Sequence, residues 1–309
     1  MKHVFGPVPS RRLGRSLGVD LIPFKTCSYD CIYCQLGRTT HKTIQRKEWV
    51  PIEEVLEEIK EKLSSKPDYI TLSGSGEPTL STRLGDLIEG IHSITDTPVA
   101  VLTNGSLLWQ EELRQEIAGA QLLVPSLDAG DAKLFAAVNR PAPELSFDRV
   151  AEGLIAMRDL FSGLMWLEVF ILGGYTADVS EVEKINRWAK RIRPDAIQLN
   201  TVTRPPAESF AMAVNRERLE YLAQLFESKA EVIADCRGVH EQVEFTATRE
   251  TVLQLLERRP CSIEDIAEGL GIHRNEVVKY VEELLTQKQI ESTRTGNRLY
   301  YRALSAAAR

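Results

Sequence analysis

No run of about 18 apolar residues occurs in this 309-residue chain, so no membrane-spanning helix is expected. The opening residues, MKHVFGPVPS, lack the apolar core that an export signal needs. Both absences point to a cytoplasmic protein. Cysteine is scarce too, with five in all. In a reducing compartment, clustered thiols serve as metal ligands or catalysts more readily than as disulfides. Three of the five crowd into CSYDCIYC, residues 27–34, spaced C-x3-C-x2-C. Hydrophobic residues make up 43% and charged residues 27%, the balance of an ordinary globular chain. The length suits a large domain followed by a small module.

The net charge of −6 is unevenly placed. Residues 1–50 hold nine Lys or Arg against three Asp or Glu, a surplus of +6, which leaves −12 on the remainder. This basic segment surrounds the cysteines. It reads either as a solvated loop or as a positive site mouth that draws in an anionic substrate.

Beyond the cysteines, short apolar strand candidates alternate with amphipathic helix candidates. The strands are GVDLIPF (18–24), DYITLSG (68–74), PVAVLTNG (98–105), QLLVPSLD (121–128), MWLEVFILGG (165–174) and DAIQLNTV (195–202). Six strands, each followed by a crossover, predict an α/β fold with parallel strands, either doubly wound or a partial (β/α)6 TIM-type barrel. In barrels the functional residues sit at strand ends. Here those ends read TCSYDC, SGSGEP, TNG, SLDAG, LGGY and NTVTRP. Near residue 246 the texture changes to three short helices. Ser262 and Asp265 carry a capping signal, and Gly296-Asn297 forms a hairpin turn between alternating segments. Helices plus hairpin resemble a winged helix. The expected domains are 1–245 and 246–309.

Three cysteines admit three uses. A disulfide leaves one thiol over. Structural zinc takes four ligands, and His41 could be the fourth. An iron–sulfur cluster held by three thiolates keeps one open iron, which suits catalysis rather than structure. The C-x3-C-x2-C spacing after a first strand, with Tyr33 before the last cysteine, resembles the radical S-adenosylmethionine (SAM) superfamily. The resemblance spans roughly residues 15–205. It implies that Cys27, Cys31 and Cys34 hold a [4Fe–4S] cluster whose fourth iron is chelated by SAM. GSGEP (74–78) resembles the superfamily's GGEP motif, with Ser75 in place of a glycine. Gly74, Ser75, Gly76 and Glu77 are then expected at the SAM ammonium, although the same residues make an ordinary Gly-Pro turn. Asn104 is expected at the cofactor, although Thr103-Asn104-Gly105 reads equally well as a common turn, and the resemblance implies Ser126 and Asp128 at the ribose and Gly173 near the adenine. Gln198 and Asn200 share one strand face and either bind SAM or substrate or satisfy one another. The stretch GPVPSRRLGRSLGVDLIPFKTCSYDCIYCQLG is similar to the branch near wyosine-base synthases and nitrogenase-cofactor assembly proteins.

The implied reaction begins with an electron from a ferredoxin- or flavodoxin-type donor. SAM is cleaved to a 5′-deoxyadenosyl radical, which takes a hydrogen atom from the substrate. Cys236 and Cys261 are too few for a second cubane, and no segment of cobalamin-binding size precedes the barrel. Cys236 reads as a hydrogen donor at the barrel rim or as a small buried hydrophobe. Arg11, Arg12, Arg15 and Arg204 are candidates to clamp an anionic substrate (a nucleoside, peptide or cofactor precursor), against the plainer reading of surface pairs. Residues 246–309 hold ten basic and nine acidic residues. Glu276, Glu282 and Glu283 on the third helix disfavour DNA. Arg294, Arg298 and Arg302 with Tyr300 and Tyr301 on the wing suit nucleic acid or peptide better. The alternative function is a cluster- and SAM-sensing regulator acting through its winged helix on DNA or RNA.

Overall fold

Strand β1 (Val4–Ser10) was hidden in the sequence by Pro7 and Pro9. Proline removes a ladder donor, so a strand containing it belongs at a sheet edge or bulge. Here β1 is an edge strand, antiparallel to β2 (Gly14–Asp20), and the register shifts between Phe5 and Val8. These observations come from a computed structural model, which describes residues 3–10, 12–234, 249–270, 272–296 and 298–304. A short parallel pair, β3 (Thr26–Cys27) and β4 (His41–Lys42), frames the cysteine loop.

The main sheet continues through β5 (Tyr69–Ser73), β6 (Val99–Thr103), β7 (Leu122–Pro125), β8 (Leu164–Phe170), β9 (Ala196–Asn200) and β10 (Ala230–Val232). Its order is β1-β2-β5-β6-β7-β8-β9-β10, and every pairing from β2 onward is parallel. The six expected strands are therefore present, with one more at each edge. The first runs 14–20 rather than 18–24, because the chain leaves the sheet after Asp20 to carry the cysteines.

Helices α1 (Ile52–Lys62), α2 (Leu84–Ile94), α3 (Glu111–Ile117), α4 (Ala132–Val138), α5 (Phe147–Leu160), α6 (Val179–Ile192) and α7 (Arg216–Ala223) fill the connections. Their apolar stripes repeat at helical spacing. Ile52, Val55 and Ile59 are buried on α1, and Val182, Ile185, Ala189 and Ile192 on α6. Strand side chains alternate accordingly. Leu17, Val19, Ile70, Leu72, Leu167 and Val169 pack into the main core. Ser16, Gly18, Thr71, Ser73, Glu168 and Phe170 face a cavity on the other side. A sheet whose successive strands wall one cavity is curved, and this places the strand ends around a common space.

The C-terminal residues form α8 (Arg249–Arg258), α9 (Ile263–Leu270), α10 (Arg274–Thr286) and an antiparallel hairpin of β11 (Ile290–Thr295) and β12 (Arg298–Ala303). Asp265 N–H donates to Ser262 Oγ at 3.1 Å and Ser262 N–H to Asp265 Oδ2 at 3.0 Å, the reciprocal cap read from the sequence. Gly296 takes φ +58° in the turn, while Asn297 lies outside the described residues. These elements share a core of their own that includes Val252, Ile266, Val277, Val281 and Leu284. Val8 of β1 packs against it, and Tyr300 Oη donates to the Thr203 carbonyl at 2.7 Å. Tyr300 and Tyr301 are buried, which corrects the expectation that they face outward on a wing. Among the described residues, no helix is long and apolar enough to cross a membrane.

Candidate functional site

The cavity holds about 500 Å³ and lies at the C-terminal ends of the parallel strands. Cys27, Cys31 and Cys34 all line it. So do the loop from Ser73 to Glu77, the Thr103-Asn104 turn, Ser126, Asn200 and Arg204.

Burial raises all three thiols. Cys27 is pushed up to about 12, first by desolvation and then by the nearby Glu77 carboxylate. Cys31 rises well above its ordinary value through burial and then Asp128. Cys34 rises through burial, opposed by the Leu36 and Gly37 amides and by Lys25. Such sulfurs lose their protons when a positive ion replaces them. Donors already point at them. Asn104 Nδ2 lies 3.5 Å from Cys27 Sγ and Asn139 Nδ2 lies 3.5 Å from Cys31 Sγ. Hydrogen bonds to sulfur are a means of stabilising cluster thiolates.

Zinc fits poorly. One zinc ion with bonds of about 2.3 Å draws its sulfurs to roughly 3.8 Å of each other. Among the described residues no three His, Cys, Asp or Glu side chains converge to hold a single ion. His41 is exposed and sits edge-on to Trp49, 5.8 Å between ring centres. A cubane spreads its thiolates over separate corners, and three cysteines on one cavity wall suit that.

The SGSGEP loop is tightly built. Gly74 takes φ +111°, and a Cβ there would meet Asp20 Oδ1 at 2.4 Å. A Cβ on Gly76 would lie 2.0 Å from the Thr26 carbonyl, so only glycine lets this loop pass beside the first cysteine. Ser75 answers for the missing glycine. Its amide and hydroxyl donate to Asp20 at 3.1 and 2.5 Å, a partner that sequence reading did not single out. Glu77 is buried. Its Oε1 accepts from Thr79 N, Thr79 Oγ1 and Thr103 Oγ1, and its Oε2 accepts from Asn104 N at 2.8 Å. Burial raises its carboxyl despite these four donors. Oε2 retains acceptor capacity toward the cavity. Asn104 itself serves the cysteines, with Nδ2 also donating to Ser28 Oγ at 2.9 Å.

The other expected contacts divide, with Tyr33, Ser126 and Asn200 on the cavity wall and Asp128, Gly173 and Gln198 off it. Tyr33 stacks on Phe170 with ring centres 3.9 Å apart, and its hydroxyl donates to Asp128. Asp128 also accepts from Asn139 Nδ2 at 2.7 Å and Phe170 N at 3.0 Å. It lies beneath the cavity wall, engaged by protein donors, rather than open to a ribose. Ser126 does line the cavity. Gly173 does not, because its amide pairs with Met212. Gln198 is absent from the wall as well, since its amide joins Arg12 and Glu231. Asn200 reaches the cavity and donates to Glu168 at 3.2 Å.

The arginines divide. Arg12 lines the cavity but is ion-paired with Glu168. Arg15 faces away, its amide on Asp68 and its guanidinium on the Ser65 carbonyl. Strand alternation explains this, because Ser16 and Gly18 take the inward positions. Arg204 reaches the cavity and donates to Gln35 at 3.2 Å. Arg11 and Cys236 lie outside the described residues. Sequence reading missed Asn139, which touches Cys31, and Leu255 and Arg259, which line the cavity from the C-terminal elements. No motif marks them.

A profile of the Radical SAM superfamily matches residues 21–189. A UPF0026 protein of Methanocaldococcus jannaschii is 35% identical over 300 residues, 94% of this chain and 88% of that protein. A Brachyspira hyodysenteriae protein named GTPase Obg is 40% identical over 311 residues, 99% of this chain. The chain spans only 45% of that relative's length. Among solved structures, Streptococcus suis SuiB bound to S-adenosylmethionine shares the fold, with TM-score 0.54 at 13% identity over 72% of this chain and 52% of that one. The chain belongs to the radical SAM superfamily, alongside the UPF0026 proteins, and its cofactors are a [4Fe–4S] cluster and S-adenosylmethionine.

Proposed function

We propose that this chain is a radical SAM enzyme in which Cys27, Cys31 and Cys34 hold the cluster and the rest of the cavity receives SAM and substrate. When bound, the cofactors supply reductive cleavage of SAM to a 5′-deoxyadenosyl radical that removes a hydrogen atom from the substrate. The observation that carries this is the gathering of all three cysteines, the SGSGEP loop and the Thr103-Asn104 turn around one cavity. Asn104 and Asn139 orient two of the sulfurs. The Glu77 carboxylate offers Oε2 to the cofactor's ammonium. The stack of Tyr33 on Phe170 fixes the chain entering Cys34.

A ferredoxin- or flavodoxin-type protein supplies the electron in the cytoplasm. Residues 1–245 form the catalytic domain and 246–309 a winged helix. That winged helix serves the active site rather than nucleic acid. Glu276, Glu282 and Glu283 are exposed on α10, and Tyr300 is turned onto the Thr203 carbonyl. No G-x-x-x-x-G-K-[ST] phosphate loop of the kind that binds nucleotides in GTPases occurs in these residues.

The test is SAM turnover by anaerobically reconstituted protein under a strong reductant, with 5′-deoxyadenosine and methionine quantified. Release in the wild type and none from Cys27→Ala, Cys31→Ala or Cys34→Ala supports the assignment. Equal release from Cys34→Ala would refute it.

A further inference from the structure

The C-terminal elements complete the cavity wall. Leu255, on α8, and Arg259, directly after it, line the same space as the three cysteines. They are held there by the Tyr300 hydroxyl on Thr203 and by Val8 packed into the C-terminal core. Arg204, one residue after Thr203, lines the cavity too. Both residues line this cavity, and both guanidinium groups oppose the burial-driven rise of the Cys261 thiol.

The carboxylates nearby are engaged. Glu168 is paired with Arg12, and Glu77 is held by Thr79, Thr103 and Asn104. Asp265, the acid that acts on Cys261, caps α9 through Ser262. Among the described residues, no carboxylate lies within ion-pair distance of Arg259.

We propose that Arg259, with Arg204 lining the same cavity, binds a phosphate or carboxylate group of the substrate, so that the C-terminal elements supply a specificity-determining residue of the active site. This rests on the radical SAM assignment of the cavity made above. A guanidinium fork matches either oxyanion in a bidentate manner, and its charge does not depend on pH in the working range. The competing role for an arginine after a helix is to neutralise the helix C-terminus. That role predicts a loss of stability on substitution and no anion binding.

The experiment titrates inorganic phosphate and, separately, succinate into reconstituted full-length protein by calorimetry. Saturable binding of one or both is expected, and the stronger ligand identifies the group. Arg259→Gln should weaken it at least tenfold, Arg259→Lys should retain part of it, and Arg193→Gln, at an exposed arginine far from the cavity wall, should leave it unchanged. The lysine variant guards against misfolding of the glutamine variant, and a thermal melt of each checks the fold. Absence of saturable binding by wild type, or equal affinity in Arg259→Gln, would overturn the proposal. The reduced cluster's EPR response to SAM should survive in Arg259→Gln. If wild type binds phosphate through Arg259 but shows no SAM response, the radical assignment fails and the anion site stands.

Discussion

Asn104 Nδ2 lies 3.5 Å from the Cys27 sulfur while the Asn104 backbone amide donates to Glu77 Oε2 at 2.8 Å. One residue thus ties the first cysteine to the SGSGEP loop. A hydrogen bond to sulfur stabilises the more negative, reduced cluster. Asn104→Ala should therefore lower the cluster potential. A bond worth about 0.5–1.5 kcal/mol corresponds to roughly 20–65 mV for one electron. An anaerobic redox titration followed by EPR measures it, and Asn139→Ala should shift it in the same direction.

Glu77 is buried beneath four donated hydrogen bonds. Glu77→Ala leaves those donors without an acceptor, each costing about 1–3 kcal/mol where no water replaces it. The variant should unfold at a lower denaturant concentration. It should still bind iron, since the three cysteines remain, but the concentration of SAM needed to perturb the cluster should rise several-fold. Unchanged SAM dependence would remove Glu77 from the cofactor site.

Arg12, in the turn between β1 and β2, is ion-paired with Glu168 on β8 and donates to Gln198 on β9 at 3.0 Å. It bridges the cavity from one end of the curved sheet toward the other. Both side chains of the pair are largely buried, 13% and 16% exposed. Removing one partner strands the other charge, at a cost of about 2–4 kcal/mol. Glu168→Ala and Arg12→Ala should each destabilise by that order, and the double variant by less than the sum. Urea unfolding of the four proteins gives the coupling.

Asp128 carries a pH signature. Burial, first among the causes, raises its carboxyl to about 6 despite donors from Tyr33, Asn139 and Phe170. A carboxyl whose pKa is higher folded than unfolded contributes stability at low pH. That contribution is lost as pH rises from the unfolded value, about 4, through the folded value. The lost contribution is on the order of 2–3 kcal/mol. Unfolding free energy measured between pH 4 and 7 should include this decline in wild type and lack it in Asp128→Asn.

How much of this was legible in the sequence depends on distance along the chain. The cysteines and GSGEP stood out because their residue types and spacing form short continuous motifs, and the six central strands because parallel strands covered by helices read as apolar runs. The edge strand Val4–Ser10 did not stand out, since its glycine and prolines look like a loop. The short helix Ala132–Val138 was missed for lack of length. Side-chain partners were the hardest. Asp128 shares a face of the expected strand with Ser126, and the superfamily resemblance implied a ribose contact there, yet folding brings Tyr33 and Asn139 onto it. Arg15 promised an anion clamp, but strand alternation turned it outward. Arg259 comes from a different part of the chain altogether, and only tertiary packing brings it to the cysteines' cavity.

The most direct measurement is iron and sulfide content with the EPR spectrum of the reduced protein, recorded before and after adding SAM, all without oxygen. One cubane per chain with a signal that changes on SAM addition is the expected result, and Cys34→Ala should lose both. Protein that takes up zinc instead of iron, or a cubane signal indifferent to SAM, would contradict the assignment of this cavity.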